Sequence, residues 1–260
     1  IYSTFMQRCI DMIQHDAALQ KLPVRFCMDR AGLSPDDGPT HHGLFDIAMI
    51  RSIPNIVFMQ PKDEAEFVHM LRTMNHYQNG PTVIRYPRGC GAGTPVPAKA
   101  EILPIGKAEV LQTGQDVTLV SLGTMIGIAR ETVSLLEARG YTVTLINARF
   151  IKPLVDECIR RHAARSRVVC TFEDHSISGG FNSAVLESLE TGDVKTPVEA
   201  IAWPDQFIEH GSESILRKKY GLTAEAALQK IIPHLNSWSV YENTHLPAGS
   251  PGACPCVSNF

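Results

Sequence analysis

The sequence contains no apolar run approaching the roughly 20 residues that a membrane-crossing helix requires. It also lacks an excess of either charge: 24 basic side chains stand against 27 acidic ones, for a formal net charge of -3. No global positive field therefore points to nucleic acid or to an anionic membrane as a partner. A disulfide framework is missing too. The seven cysteines, at positions 9, 27, 90, 158, 170, 254 and 256, are odd in number and irregularly spaced. Cys254-Pro255-Cys256 is a weak metal signal without a second pair or nearby histidines. A reduced, cytoplasmic protein is expected. The absence of Gly-x-Gly-x-x-Gly withholds support from a Rossmann dinucleotide site. The opening Ile1-Tyr2-Ser3-Thr4-Phe5 shows neither an initiator Met nor a signal-peptide pattern, and reads as a cut into a longer protein. What is present is an apolar fraction of 44% over 260 residues, enough for a sizeable core.

Hydrophobic periodicity alternates between strand and helix. A helix is predicted over 3–20, with Phe5, Cys9, Met12 and Ile13 on one face, then a strand at 24–28. A helix near 44–52, a strand at 56–59, a helix at 61–77 and a strand at 82–86 complete the first half. The following Pro/Gly-rich stretch has no hydrophobic period and reads as a linker over 91–106. A second alternation predicts strands at 117–122, 142–147, 168–172 and 198–203. Helices are predicted at 124–139, 153–165, from Gly180 to about 191, near 212–220 and at 223–235. The pattern implies an α/β fold of two successive open, mainly parallel sheets flanked by helices. The expected divisions are 1–90, the linker, 107–236, and a disordered Pro/Gly/Ser-rich tail over 237–260.

Sites in open α/β sheets gather where strands end. The connection from Asp29 to Gly43 is long for a compact domain and carries Arg30, Asp36, Asp37, His41 and His42. Arg30 is suited to bidentate grip of a phosphate, and a histidine to proton exchange near neutral pH. Tyr86-Pro87-Arg88-Gly89 puts a second cation at a strand end. With Arg8 these would form a clamp for a small phosphorylated substrate; three surface arginines, each paired with an acid, fit the same residues. Phe5 fits a core position as well as a cofactor-stacking ring. In the second half, Glu173-Asp174-His175 followed by Ser178-Gly179-Gly180 is expected after a strand, at a helix N-terminus open to an anion. His162, His210 and His234 are scattered and read as structural.

Taken in order, several motifs resemble the 1-deoxy-D-xylulose-5-phosphate synthase family of transketolase-like, thiamine-diphosphate enzymes. They are Tyr2-Ser3-Thr4-Phe5-Met6-Gln7-Arg8, Asp29-Arg30-Ala31-Gly32-Leu33, Asp37-Gly38-Pro39-Thr40-His41-His42-Gly43 and Arg85-Tyr86-Pro87-Arg88-Gly89. In the second half, Arg149 to Leu154, Glu173 to Gly180 and Pro204 to Gly211 agree. The resemblance covers about residues 1–236. It implies a partial pyrimidine-binding domain followed by a transketolase C-terminal domain, usually in a homodimer. The implied reaction condenses pyruvate with glyceraldehyde 3-phosphate, releasing CO2 and giving 1-deoxy-D-xylulose 5-phosphate, with thiamine diphosphate and Mg²⁺ as cofactors. By position, Phe5 would stack on the aminopyrimidine and Arg8 would lie at the cofactor edge. His41 would assist proton transfer, and Tyr2, Arg30, Asp37 and Arg88 would contact the acceptor aldehyde phosphate.

The resemblance also implies a Gly-Asp-Gly motif with a downstream Asn for the diphosphate and metal, and an activating glutamate upstream of Tyr2. Neither occurs in this sequence, so no metal ligand is assigned and the chain alone is expected to be inactive. Asn182 stands where a glycine is usual. Three readings stay open: part of the synthase, a β-type subunit completed by an N-terminal-domain partner chain (a split transketolase or a 2-oxo-acid dehydrogenase E1), or a non-catalytic dimerisation homologue.

Overall fold

The computed structural model describes the backbone of residues 1–244 and the side chains of residues 1–236. A helical run over 3–18, here α1, opens the chain. It is irregular: α-helical at Ser3–Met6, 3-10 at Gln7–Cys9, α-helical at Ile10–Met12 and π-helical at Ile13–Ala18. There follow β1 (Arg25–Met28), α2 (Asp46–Ile50), β2 (Val57–Met59), α3 (Glu64–His76) and β3 (Thr82–Arg85). The second half contains β4 (Glu109–Gln112), β5 (Val117–Ser121), α4 (Ile126–Glu137), β6 (Val143–Asn147) and β7 (Phe150–Lys152). It continues with α5 (Asp156–Ala163), β8 (Val168–Ser176), α6 (Phe181–Thr191), β9 (Val198–Trp203), α7 (Glu213–Tyr220) and α8 (Ala224–Thr244).

Two sheets result, in strand orders β1-β3-β2-β7 and β4-β6-β5-β8-β9. Pairing is parallel except at β7 and β4, which run antiparallel at the sheet edges. Strands β5, β6 and β8 are buried along their whole length, which is why their sequences are nearly continuous apolar runs: helices cover both faces. Neither edge strand was expected. β7 belongs to the second half by sequence yet pairs with β2, Phe58 opposite Lys152 and Met59 opposite Phe150. The hydrophobic clusters cross between halves in the same way, one of them joining Met6, Ile13 and Phe58 to Val120, Ile146 and Phe181.

Three sequence expectations are corrected. Helix α1 buries Met6, Ile13, Ala17 and Ala18, whereas Phe5 and Met12 face solvent at 41% and 52% exposure, because the 3-10 and π turns shift the phase of its apolar face. Glu173, Asp174 and His175 lie within β8 rather than after it. Helix α8 continues to Thr244, past the end expected at 235; the tail beyond it, 245–260, lies outside the described residues. The linker contains no helix or strand, but it is strapped along α3. Glu64 Oε1 accepts from Gly93 N at 2.7 Å, His69 Nδ1 accepts from Glu101 N at 2.8 Å and Thr73 Oγ1 accepts from Leu103 N at 2.7 Å. Helix α3 itself starts on a reciprocal cap: the Asp63 side chain accepts from Glu66 N and the Glu66 side chain from Lys62 N, each at 2.8 Å.

Candidate functional site

Strand β1 ends in the connection that the sequence singled out, and this connection closes on itself. Gly32 N donates to Gly43 O at 2.9 Å and Gly43 N to Gly32 O at 2.8 Å, so residues 33–42 project as a compact loop from a two-glycine neck. The neck tolerates no side chain. A Cβ on Gly32, whose φ is +84°, would collide with the Asp174 carboxylate, and one on Gly43 with the Arg30 carbonyl and the Ser3 hydroxyl. Within the loop, Asp37 N and Gly38 N both donate to Ser34 O, and His41 N and His42 N both donate to Gly38 O. These two turns present Asp37 and His41 on one side.

That side gathers six of the seven residues singled out as candidates. The Arg30 guanidinium lies 3.9 Å over the Tyr2 ring, Tyr2 stacks on Phe5 with centroids 5.5 Å apart, and Phe5 meets the His41 ring edge-on at 5.4 Å. Asp37 Oδ2 accepts from Arg30 Nε at 3.3 Å and from Arg88 Nη1 at 3.4 Å. Arg30 also reaches Asp29 at 3.4 Å and Arg88 reaches Asp36 at 2.9 Å. Most of these contacts are longer than the 2.7–2.9 Å of a strong charge-assisted bond, so the two guanidiniums are loosely held and can exchange partners. Arg8, exposed on the 3-10 turn of α1, makes no hydrogen bond or ion pair with this group. The core reading of Phe5 does not survive its exposure.

Beneath the loop lies a buried network that sequence reasoning missed. Arg85, at the end of β3, is fully enclosed. Its Nε donates to Asp46 Oδ2 at 3.0 Å, Nη1 to Gln60 Oε1 at 2.6 Å, and Nη2 to the carbonyls of Gly43 and Asp174 at 3.3 and 3.2 Å. Ser3 Oγ donates to the same Asp46 oxygen at 2.8 Å. One guanidinium thus fastens the loop neck, α2 and β8 together. The available signal was an arginine inside the apolar run Thr82-Val83-Ile84-Arg85, since a charge there must be paired. His42, next to the half-exposed His41, is also buried: its Nδ1 accepts from Ser34 N at 3.0 Å, and burial lowers its pKa. Nor is His210 merely scattered; its side chain rests against Gly38.

The helix N-terminus expected to receive an anion is already filled. Glu173 accepts from the first two amides of α6, Phe181 N at 2.6 Å and Asn182 N at 2.8 Å. Burial pushes this carboxyl up to about 7, against the pull of those amides and of Arg85 and Arg51. His175 is pushed down to about 4, again chiefly by burial. Asp174 accepts from Trp203 Nε1 at 2.6 Å and pairs with Arg217 at 3.2 Å. Every group at this strand end faces inward.

Among the described residues, no group of three or more His, Cys, Asp or Glu side chains is arranged to hold a metal ion, and no helix is long and apolar enough to cross a membrane. Cys9, Cys27, Cys90, Cys158 and Cys170 are free thiols, and burial raises the pKa of Cys170; Cys254 and Cys256 lie outside the described residues.

Comparison with known proteins gives the class first. Residues 1–92 match the transketolase pyrimidine binding domain and residues 106–226 the transketolase C-terminal domain. A solved chain described as "Split gene transketolase, inactive beta4 tetramer" superposes with a TM-score of 0.80 at 29% identity, over 90% of this chain and 75% of that one. The particular family follows from curated relatives. The 1-deoxy-D-xylulose-5-phosphate synthase of Methylacidiphilum infernorum is 51% identical over 240 residues, 91% of this chain and 38% of the relative. That of Acidobacterium capsulatum is 52% identical over 236 residues, 90% and 37% respectively. The chain belongs to the 1-deoxy-D-xylulose-5-phosphate synthase family of thiamine-diphosphate-dependent, transketolase-like transferases. It spans a little over a third of the length of these curated relatives.

Proposed function

We propose that this chain supplies the pyrimidine-facing and phosphate-binding wall of an enzyme that condenses pyruvate with glyceraldehyde 3-phosphate, releasing CO2 and forming 1-deoxy-D-xylulose 5-phosphate. The observation that carries this reading is the convergence of Tyr2, Phe5, Arg30, Asp37, His41 and Arg88 on one open surface, although they lie up to 86 positions apart in sequence. An aldehyde phosphate would take Arg30 and Arg88 from their aspartates, exchanging long carboxylate contacts for a dianion with more acceptor oxygens. Asp37, left between the two guanidiniums, would keep their forks oriented and accept from a substrate hydroxyl. Tyr2 backs the Arg30 guanidinium, and His41 stands where it can hold or pass a proton beside the Phe5 ring.

Thiamine diphosphate suits the exposed Phe5 ring, which offers a flat apolar surface beside Tyr2 and His41; Phe5 would stack on the aminopyrimidine, with Arg8 further along α1. When bound, the cofactor supplies a stabilised carbanion equivalent for joining the two substrates. Among the described residues no group of three or more His, Cys, Asp or Glu side chains is placed to hold Mg²⁺. The family resemblance assigns the metal site and the activating carboxylate to residues this sequence does not contain, and on this reading these 260 residues alone are inactive. Turnover then requires a complementary polypeptide region, and assembly as a dimer or with an N-terminal-domain partner chain is consistent with that need. The split-subunit arrangement gains weight from the likeness to a protein described as a split-gene transketolase.

Titration of the purified chain with glyceraldehyde 3-phosphate, followed by calorimetry, tests the phosphate wall. Arg30→Ala is expected to weaken binding at least tenfold, since a hydrogen bond to a charged group contributes about 1.5–3 kcal/mol. Unchanged binding would overturn the assignment. In a coupled assay with pyruvate, Mg²⁺ and thiamine diphosphate, the isolated chain should show no turnover.

A further inference from the structure

The loop that carries Asp37 and His41 is supported from outside its own half of the chain. The segment following β9 has its Ile208 side chain buried in a hydrophobic cluster with Trp203 and Leu216, and its Glu209 carboxylate accepts from the Tyr220 hydroxyl at 2.5 Å and from Lys219. Two contacts run from this anchored segment to the loop. His42, 3% exposed, donates from Nε2 to the Glu209 carbonyl at 3.4 Å, the tautomer following from Nδ1 accepting the Ser34 amide. The His210 side chain meets Gly38, whose φ of +77° and missing side chain permit the approach. Ser34 in turn accepts from Asp37 N and Gly38 N, so the residue that His42 fixes is the one that sets the turn bearing Asp37.

We propose that His42 is a positioning residue: by bridging Ser34 to the Glu209 carbonyl, it makes the grip of Arg30, Asp37 and Arg88 on a phosphate depend on the docked 204–211 segment. The inference rests on the phosphate-binding reading above and adds a residue that touches neither substrate nor cofactor. Burial keeps the ring neutral, and a neutral ring is the form that can accept at one nitrogen and donate at the other. A residue serving only to fill space would not need both bonds.

Two substitutions separate the bonds. His42→Gln extends an amide to the Nε2 position and keeps a donor for Glu209; His42→Asn keeps an acceptor near Nδ1 for Ser34 and abandons the bridge. On the full chain, with inorganic phosphate as the probe, His42→Asn should weaken binding about tenfold and speed amide exchange at Asp37 and Gly38. His42→Gln should stay within about threefold of the parent. Equal behaviour of the two variants, or parent-like binding and exchange in His42→Asn, would overturn the proposal. Arg30→Ala in the same titration reports on the underlying reading. If the parent binds no phosphate, or Arg30→Ala binds as the parent does, the phosphate wall fails. The exchange rates still decide whether His42 holds the loop.

Discussion

Strands β1 and β8 both end in a cluster of charged groups and glycines that leads toward a helix, and the two ends finish in opposite states. After β1 the guanidiniums of Arg30 and Arg88 are partly open to solvent and share contacts of 2.9–3.4 Å with three aspartates. At the end of β8 the Glu173 carboxylate already caps α6, and Asp174 is consumed by Trp203, Arg217 and the loop neck. The same ingredients therefore give an open, loosely paired surface in one case and a joint in the other. What separates them is occupancy: a helix N-terminus whose amides are satisfied internally has nothing left to offer an anion. The joint in turn holds the loop over 33–42, since Asp174 bonds to Leu33 N and its carbonyl receives Arg85.

If the joint carries the folding energy and the loop carries recognition, the largest effect should come from the buried pair between them. Asp46→Ala leaves Arg85 enclosed with its one carboxylate partner gone, which is expected to cost about 3–5 kcal/mol in urea unfolding. Asp46→Asn, which retains an acceptor, should cost less. A loss below about 1 kcal/mol for the alanine variant would mean that the halves are joined by packing alone.

The two ends also differ in how far the sequence reveals them. Strand β9 lies where periodicity puts it, at 198–203, and β5, β6 and the helices between them fall within a few residues of expectation. Their signal is local. The loop residues Arg30, Asp37 and His41 stand out for another reason: a polar Gly/Pro stretch gathers many titratable side chains, a composition that fits a solvated, Asp–Arg-paired loop as well as a site. The joint was not legible, because its meaning lies in distant pairs. Arg85 meets Asp46 across 39 positions and Asp174 across 89, while β7 is three residues long and pairs with a strand about 90 positions earlier. Likewise, nothing in His41-His42 announces which imidazole is buried.

Next in size is the pH response of the joint. His175 is depressed from 6.5 to about 4, so between those values the unfolded chain takes up a proton that the native chain refuses, and stability falls on acidification. Glu173 is raised from 4.5 to about 7, so there the native chain binds the proton more readily, and stability rises on acidification. Between pH 7 and 4.5 the two largely offset each other, and the parent should look flat. Glu173→Gln, besides an overall loss of about 1–3 kcal/mol for the disturbed amide contacts, should unmask the histidine: stability falls as pH drops. His175→Asn should give the opposite slope. Urea midpoints at pH 7, 6 and 5 distinguish these outcomes. Parallel profiles for both variants would show that the strand end is not a sealed pair of opposed titrations.

The smallest expected effect is the most direct test of the contrast. Arg88 pairs with Asp36 and Asp37 on a surface where the arginine is 38% and Asp36 75% exposed. Solvent screening and the entropy of holding two long side chains leave such pairs little net worth. Arg88→Ala should therefore move unfolding stability by no more than about 0.5 kcal/mol in either direction. Its phosphate affinity should nevertheless drop severalfold, because a dianion gains from both guanidiniums at once. Stability that fell as far as in Asp46→Ala would place Arg88 in the joint and erase the distinction between the two strand ends. A variant that folds as well as the parent yet binds phosphate poorly would locate recognition in the loop and cohesion beneath it.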